Sequence, residues 1–226
     1  MKDKIKKIVI GIRYRRSFRV PNIVGEIVDQ VLHDDDSPFK SNFFDEVGEM
    51  GTRGQILIGK NNNTLSVDFD SIILTLSTDN IDNTLNQIKN TYYPYMAKLL
   101  KNNNIHNFNR IGMMFDHQVD ELKIINEIVG NLSSSKITSP DNLQLRFSKK
   151  LPDVMSSIKK DLVDYYNAIF IYQKNSDGLN FKLDYQVYFH PEISSIADVE
   201  FDNFIKSAIE YLTNNFYKWN NEKETN

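Results

Sequence analysis

The chain has 226 residues, of which 40% are hydrophobic, 12% aromatic and 25% charged; its formal net charge is −3 and it has no cysteine. That length and composition describe a globular protein built as one sizeable domain or two small fused ones, outside the disordered class. Without cysteine there is no disulfide, thiolate metal site or cysteine nucleophile, which fits a reducing cytoplasmic compartment, and the acidic balance excludes a whole-domain basic field for nucleic acid.

The opening residues MKDKIKKIVIGIRYRR hold a short apolar core broken by Gly11 and Arg13. This is too short and too charged for a signal peptide or a membrane span, and no other window approaches the roughly 18 apolar residues a span needs. The reading is a soluble cytoplasmic protein with no membrane partner.

Residues 5–15 alternate, with Ile8, Ile10, Ile12 and Tyr14 on one face and Val9, Gly11, Arg13 and Arg15 on the other, which predicts a half-buried strand. Pro21 stands where a first helical turn tolerates proline, and Ile23, Val24, Ile27, Val28, Val31 and Leu32 follow at helical spacing. The polar run 33–38 ends that helix. Residues 43–59 and 64–77 read as two strands joined at Asn61-Asn62-Asn63, a turn suited to left-handed backbone. Thr78-Asp79-Asn80 offers an N-cap to a long helix over about 81–101, which Pro94 should kink or split.

A strand over 108–119 and a helix over 121–132 come next, then a polar loop to Asn142. Leu143, Leu145 and Phe147 alternate with polar neighbours as in a half-buried strand, and 153–164 reads as an extra short helix. Residues 166–173 and 179–190 form a hairpin about Asn175-Ser176-Asp177-Gly178. His190-Pro191-Glu192 reads as a turn, and a helix over about 199–219 closes the chain, with 220–226 frayed.

Residues 10–31 recur without gaps at 111–132. Ile10, Gly11, Ile23, Glu26, Ile27 and Val28 return as Ile111, Gly112, Ile124, Glu127, Ile128 and Val129, and the apolar pattern between them returns too. The chain therefore reads as two α+β repeats, 1–104 and 105–226, fused into one globular body. Each repeat is a β-α-β-β(-β)-α unit, and the two together make a mostly antiparallel curved sheet with helices on one face. That order resembles a duplicated TATA-binding-protein-like fold. The Arg110-Ile111-Gly112 strand start and the late Asp184-Tyr185 strand before a closing helix also resemble sporadically distributed prokaryotic proteins of similar length for which no activity is established.

Two groups of side chains stand out as candidate binding residues. Arg13, Arg15, Arg16 and Arg19 cluster about the first strand, with Arg13, Arg15 and Arg19 on one face of an extended chain, suited to phosphate or carboxylate groups. At the matched positions of the second repeat Arg15 and Arg19 become Asp116 and Asp120, so the two copies carry opposite charge. Arg146, Lys149 and Lys150, followed by Lys159 and Lys160, add a basic rim if their segment lies beside the first strand, with Tyr165, Tyr166 and Tyr172 as nearby aromatics. Asp116-His117 and His33-Asp34-Asp35-Asp36 hold metal-ligand chemistry without a second half at ligand spacing, so no metal or other cofactor is expected.

No nucleophile elbow, phosphate loop or zinc helix is present, and Gly48-Glu49-Met50-Gly51-Thr52-Arg53-Gly54 lacks the lysine of a P-loop. The chain accordingly reads as a non-enzymatic binding protein of a bacterial or mobile-element system, with no catalytic residue. It would act through contacts with another protein or a second copy of itself, as a homodimer. Nucleic-acid binding through the sheet face and the basic residues is the alternative.

Overall fold

Alternation in the first residues is realised as strand β1 (Ile5–Tyr14), which buries Ile8, Ile10, Ile12 and Tyr14 and turns Val9, Gly11 and Arg13 to the opposite side. The computed structural model describes residues 5–17, 19–39, 44–49, 54–119, 143–151, 163–175 and 178–214. After β1 come α1 (Val20–His33), β2 (Phe44–Glu49), β3 (Gly54–Gly59), β4 (Thr64–Asp68) and β5 (Ser71–Ser77). A broken helix follows, made of α2 (Ile81–Gln87), a π turn (Ile88–Tyr92) and α3 (Tyr93–Asn102). The second half adds β6 (Phe108–Val119), β7 (Leu143–Leu151), β8 (Val163–Asn175), β9 (Gly178–Ile193) and α4 (Phe201–Leu212).

The strands form one curved, unclosed sheet in the order β2-β3-β4-β5-β1-β6-β9-β8-β7, antiparallel at every described pairing. The protein is thus an α+β fold of two similar units with its helices on one face. The units meet at β1 and β6, where Gly11 lies opposite Gly112, Ile10 opposite Met113 and Ile12 opposite Ile111. Ile10 and Ile111 therefore each stand one residue before a glycine of the facing Gly11–Gly112 pair.

The described helices bury into one core. α1 contributes Ile23, Ile27 and Val31, and α4 contributes Phe204 and Ala208, against strand residues such as Ile10, Phe115 and Leu183. The helices of the two units touch directly. Tyr93 stacks on Phe201 with ring centroids 3.6 Å apart, its hydroxyl donates to the Ile196 carbonyl at 2.9 Å, and Lys89 pairs with Asp202 at 2.6 Å. Among the described residues no helix is long and apolar enough to cross a membrane.

Several local expectations are realised for the reasons given. Pro21 stands in the first turn of α1, Asn80 accepts the N–H of Asn83 at 3.0 Å as the cap of α2, and Asn61 and Asn62 take left-handed φ of 56° and 60°. Pro94 falls in the first turn of α3, where it needs no N–H partner, and the π turn before it absorbs the break.

Other expectations are corrected. The single strand over 43–59 is the hairpin β2–β3, and that over 64–77 is the hairpin β4–β5. In the second hairpin Phe69 and Asp70 form the turn, with the Tyr14 hydroxyl donating to the carbonyls of Asp68 at 2.6 Å and Ser71 at 3.1 Å. Asp68, Asp70 and Ser71 thus mark a reversal within the expected strand. β9 runs through His190-Pro191-Glu192 to Ile193, so those residues do not form a turn. The expected helix over 121–132 and the core of the one over 153–164 lie outside the described residues; Val163 and Asp164 belong to β8.

Candidate functional site

Because side chains alternate along a strand, the residues of the central strands that do not enter the core share the face away from the helices. Most described side chains of this outer face are partly exposed, while Ser71, Ile169 and Gln186 on it are buried. Register places its side chains in rows across the sheet. One row runs Arg13, Arg110, Tyr188, Tyr165 over β1, β6, β9 and β8, and Lys150 of β7, in register with Asn167 of the neighbouring row, reaches Tyr165 diagonally. The next row carries Gly11, Gly112, Gln186 and Asn167 over the same four strands.

The first row is tied together by ring and hydrogen-bond contacts. Lys150 Nζ lies 4.0 Å from the Tyr165 ring centroid, Tyr165 stacks on Tyr188 at 4.5 Å and 10°, and the Arg110 guanidinium carbon lies 5.5 Å from the Tyr188 centroid. Arg110 Nη1 donates to the Tyr188 hydroxyl at 3.0 Å, that hydroxyl donates to Gln186 Oε1 at 2.8 Å, and Gln186 Nε2 donates to Asp184 Oδ2 at 2.5 Å. A relay of hydrogen bonds therefore links a cation on β6 to a carboxylate on β9.

Over the Gly11–Gly112 pair lies a cleft of about 210 Å³. Gly11 and Gly112 form its floor. Val9, Ile73 and Met114 line it with apolar surface, and Arg13, Arg110, Asp184 and Gln186 line it with polar groups. Burial raises the Asp184 carboxyl above the ordinary carboxylate value, against the opposing effects of the Gln186 hydrogen bond and the charges of Arg110, Arg146 and Arg13. Both charge signs thus meet in a partly desolvated space.

The residues singled out in the sequence are dispersed over the fold. Arg13 lies on the outer face at the cleft, paired with Asp70 at 3.3 Å. Arg15, Arg16 and Arg19 lie past the end of β1 at Tyr14, where strand alternation no longer sets the face and the chain turns into α1. There the Arg15 N–H donates to the Asn107 carbonyl at 2.8 Å, Arg16 lies 5.5 Å over the Phe69 ring and Arg19 precedes the first turn of α1.

Asp116 does not meet Arg15, since antiparallel pairing places it opposite Lys7, at the other end of β1, and it pairs with Lys182 at 3.3 Å. His117 points into the core while Asp116 faces outward, so the two do not converge on one metal. Asp120, Lys159 and Lys160 lie outside the described residues. Arg146 and Lys150 are on the outer face of β7, whereas Lys149, opposite buried Ala168, points to the helix side. β7 is the edge strand and four strands removed from β1, so these basic residues are no rim beside the first strand. Tyr166 and Tyr172 are in the core and Tyr165 alone of the three is outside.

Arg110, Asp184, Gln186 and Tyr188 were not among the sequence candidates. The signal that leads to them is the matched glycine pair, a gap in two otherwise well-filled strands. Compared with known proteins, the chain matches no family model and no curated sequence.

Proposed function

We propose that the protein is a non-enzymatic binding protein that takes an acidic polypeptide on the outer face of its sheet. The charge distribution carries this reading. Among strand side chains described on that face, Lys7, Arg13, Arg110, Arg146, Lys150 and Lys182 stand against Asp68, Asp116 and Asp184. Even with Asp70, which pairs with Arg13, counted on the acidic side, basic groups outnumber acidic ones on this face of a chain of net charge −3, which offers electrostatic complementarity to an acidic partner. A cysteine-free chain suits a reducing compartment, so this reading sets the interaction in the cytosol.

The topological likeness to a duplicated saddle raises nucleic acid as a partner by analogy alone. Ring geometry weighs against it. Tyr188 has Tyr165 against one side and Arg110 close by, and Tyr165 is held between Tyr188 and Lys150. Base recognition on a sheet uses uncovered aromatic faces, and these tyrosines are already engaged.

The test is fluorescence anisotropy with a labelled glutamate-rich peptide and a labelled oligothymidylate of equal length. The peptide is expected to bind at low salt, to weaken as salt rises, and to be lost in the Arg146→Glu/Lys150→Glu double variant. Tighter binding of the oligonucleotide, or binding of neither, contradicts the reading.

A further inference from the structure

Glycine in the middle of a strand is a net disadvantage: it costs more backbone entropy than alanine and leaves no side chain to pack. Such a residue needs a reason. At Gly54 the reason is close packing, because a Cβ there would lie 1.9 Å from the Val67 carbonyl oxygen. Gly11 has no such reason. Its φ is not positive, and the nearest atom to an added Cβ is Ile73 Cγ1 at 3.9 Å, an ordinary contact. What glycine provides at position 11 is the open space above the sheet, shared with Gly112 across the strand pair.

The walls of that space are chemically specific. Arg110 is oriented by the Tyr188 hydroxyl, and among the described residues it makes no salt bridge within 4.0 Å. A half-buried guanidinium held by a neutral partner keeps donors for a bidentate acceptor. Arg13 stands opposite it in register, in an exposed ion pair with Asp70 that an incoming anion can exchange. Asp184 supplies one acceptor on the same wall and Val9, Ile73 and Met114 supply apolar surface.

We propose that this cleft is a receptor for a small carboxylate. The ligand sets its carboxylate on Arg110 with Arg13 opposite, lays an apolar group on Val9, Ile73 and Met114, and turns a nitrogen donor toward Asp184. An isolated phosphate fits less well, because it has no apolar part to lay on Val9, Ile73 and Met114. Free α-amino acids and the C-terminal residue of a polypeptide share the required chemistry. The inference stands on the cleft alone and does not need the acidic polypeptide partner.

The test is isothermal titration of the full chain with L-leucine, N-acetyl-L-leucine, L-leucinamide and inorganic phosphate. At least one of the two carboxylates is expected to bind, with leucinamide and phosphate about tenfold weaker or more. Tighter binding of N-acetyl-L-leucine than of L-leucine identifies a polypeptide end as the source, and the reverse order identifies a free amino acid. Gly11→Val is expected to abolish binding while its far-UV circular dichroism melt is no lower than wild type, and Arg110→Lys to weaken binding about tenfold by removing the planar fork. Leucinamide binding as tightly as leucine, no carboxylate binding at millimolar concentration, or unchanged binding in Gly11→Val overturns the proposal. If leucine binds but the glutamate-rich peptide does not, only the polypeptide reading fails.

Discussion

Replacing Gly11 with alanine separates a glycine kept for its space from one kept for its backbone. The structure gives the terms. The new methyl group meets Ile73 Cγ1 at 3.9 Å and nothing closer, so no strain opposes it. Relieving the glycine penalty in a strand interior then contributes about 0.5–1 kcal/mol. For a chain of this size a gain of that order raises Tm by about 1–4 °C.

Three other glycines serve as internal standards. At Gly25, in the middle of α1, an added Cβ has nothing within 4 Å, and alanine should stabilise by about 1 kcal/mol through helix propensity. At Gly112 the methyl meets Asp184 Oδ1 at 3.2 Å and Gln186 Cγ at 3.4 Å, which cancels part or all of the gain. At Gly54 the 1.9 Å approach to the Val67 carbonyl forces the backbone apart, at a cost of about 1–3 kcal/mol or more. Urea unfolding followed by circular dichroism measures all four variants. If Gly11→Ala is destabilised like Gly54→Ala, glycine is needed there for the fold and the argument for an adapted cleft is refuted.

Two further substitutions probe buried polar groups. The Tyr185 hydroxyl is buried with no hydrogen-bond partner among the described residues, in a cluster with Tyr166, Phe204 and Tyr211. Tyr185→Phe should therefore leave stability unchanged or raise it by up to about 1 kcal/mol in urea unfolding, because an unsatisfied group is removed and the ring stays. Asp184 has its folded pKa raised by burial, so protonation favours the folded state, and the stability it contributes is full below the ordinary carboxylate value and lost as pH rises through the raised one. Asp184→Asn should melt higher than wild type near neutral pH, with the difference vanishing as pH falls below the carboxylate range.

Local pattern carried much of the architecture. The apolar stripes of α1, α3 and α4, the Asn80 cap, the left-handed asparagines and the alternation in β1 and β6 each express a short-range rule and are visible in the chain. Where the sequence predicts single strands, the fold has the hairpins β2–β3 and β4–β5, although the glycine-rich stretch 48–54 and the polar residues Asp68, Asp70 and Ser71 interrupt the apolar runs there. The turn at Phe69 and Asp70 is held by Tyr14, 54–57 residues distant in sequence, which no local window registers. The site was legible only in part for the same reason. Arg13 and the glycine pair are visible as residues, but their meeting with Arg110, Asp184 and Tyr188 depends on the register of β1 with β6 and of β6 with β9. Strand alternation places Arg13 on the outer face, but it stops at Tyr14 and so does not extend to Arg15 and Arg19.

The most direct test of the binding account is a two-dimensional amide NMR titration of the full chain with L-leucine and, separately, N-acetyl-L-leucine. The account predicts saturable shifts with at least one of them at Gly11, Gly112, Arg110, Gln186 and Tyr188, absent with L-leucinamide. Shifts confined to residues on the helix side of the sheet, such as those of α1 or α4, or no shifts with either carboxylate, would contradict it.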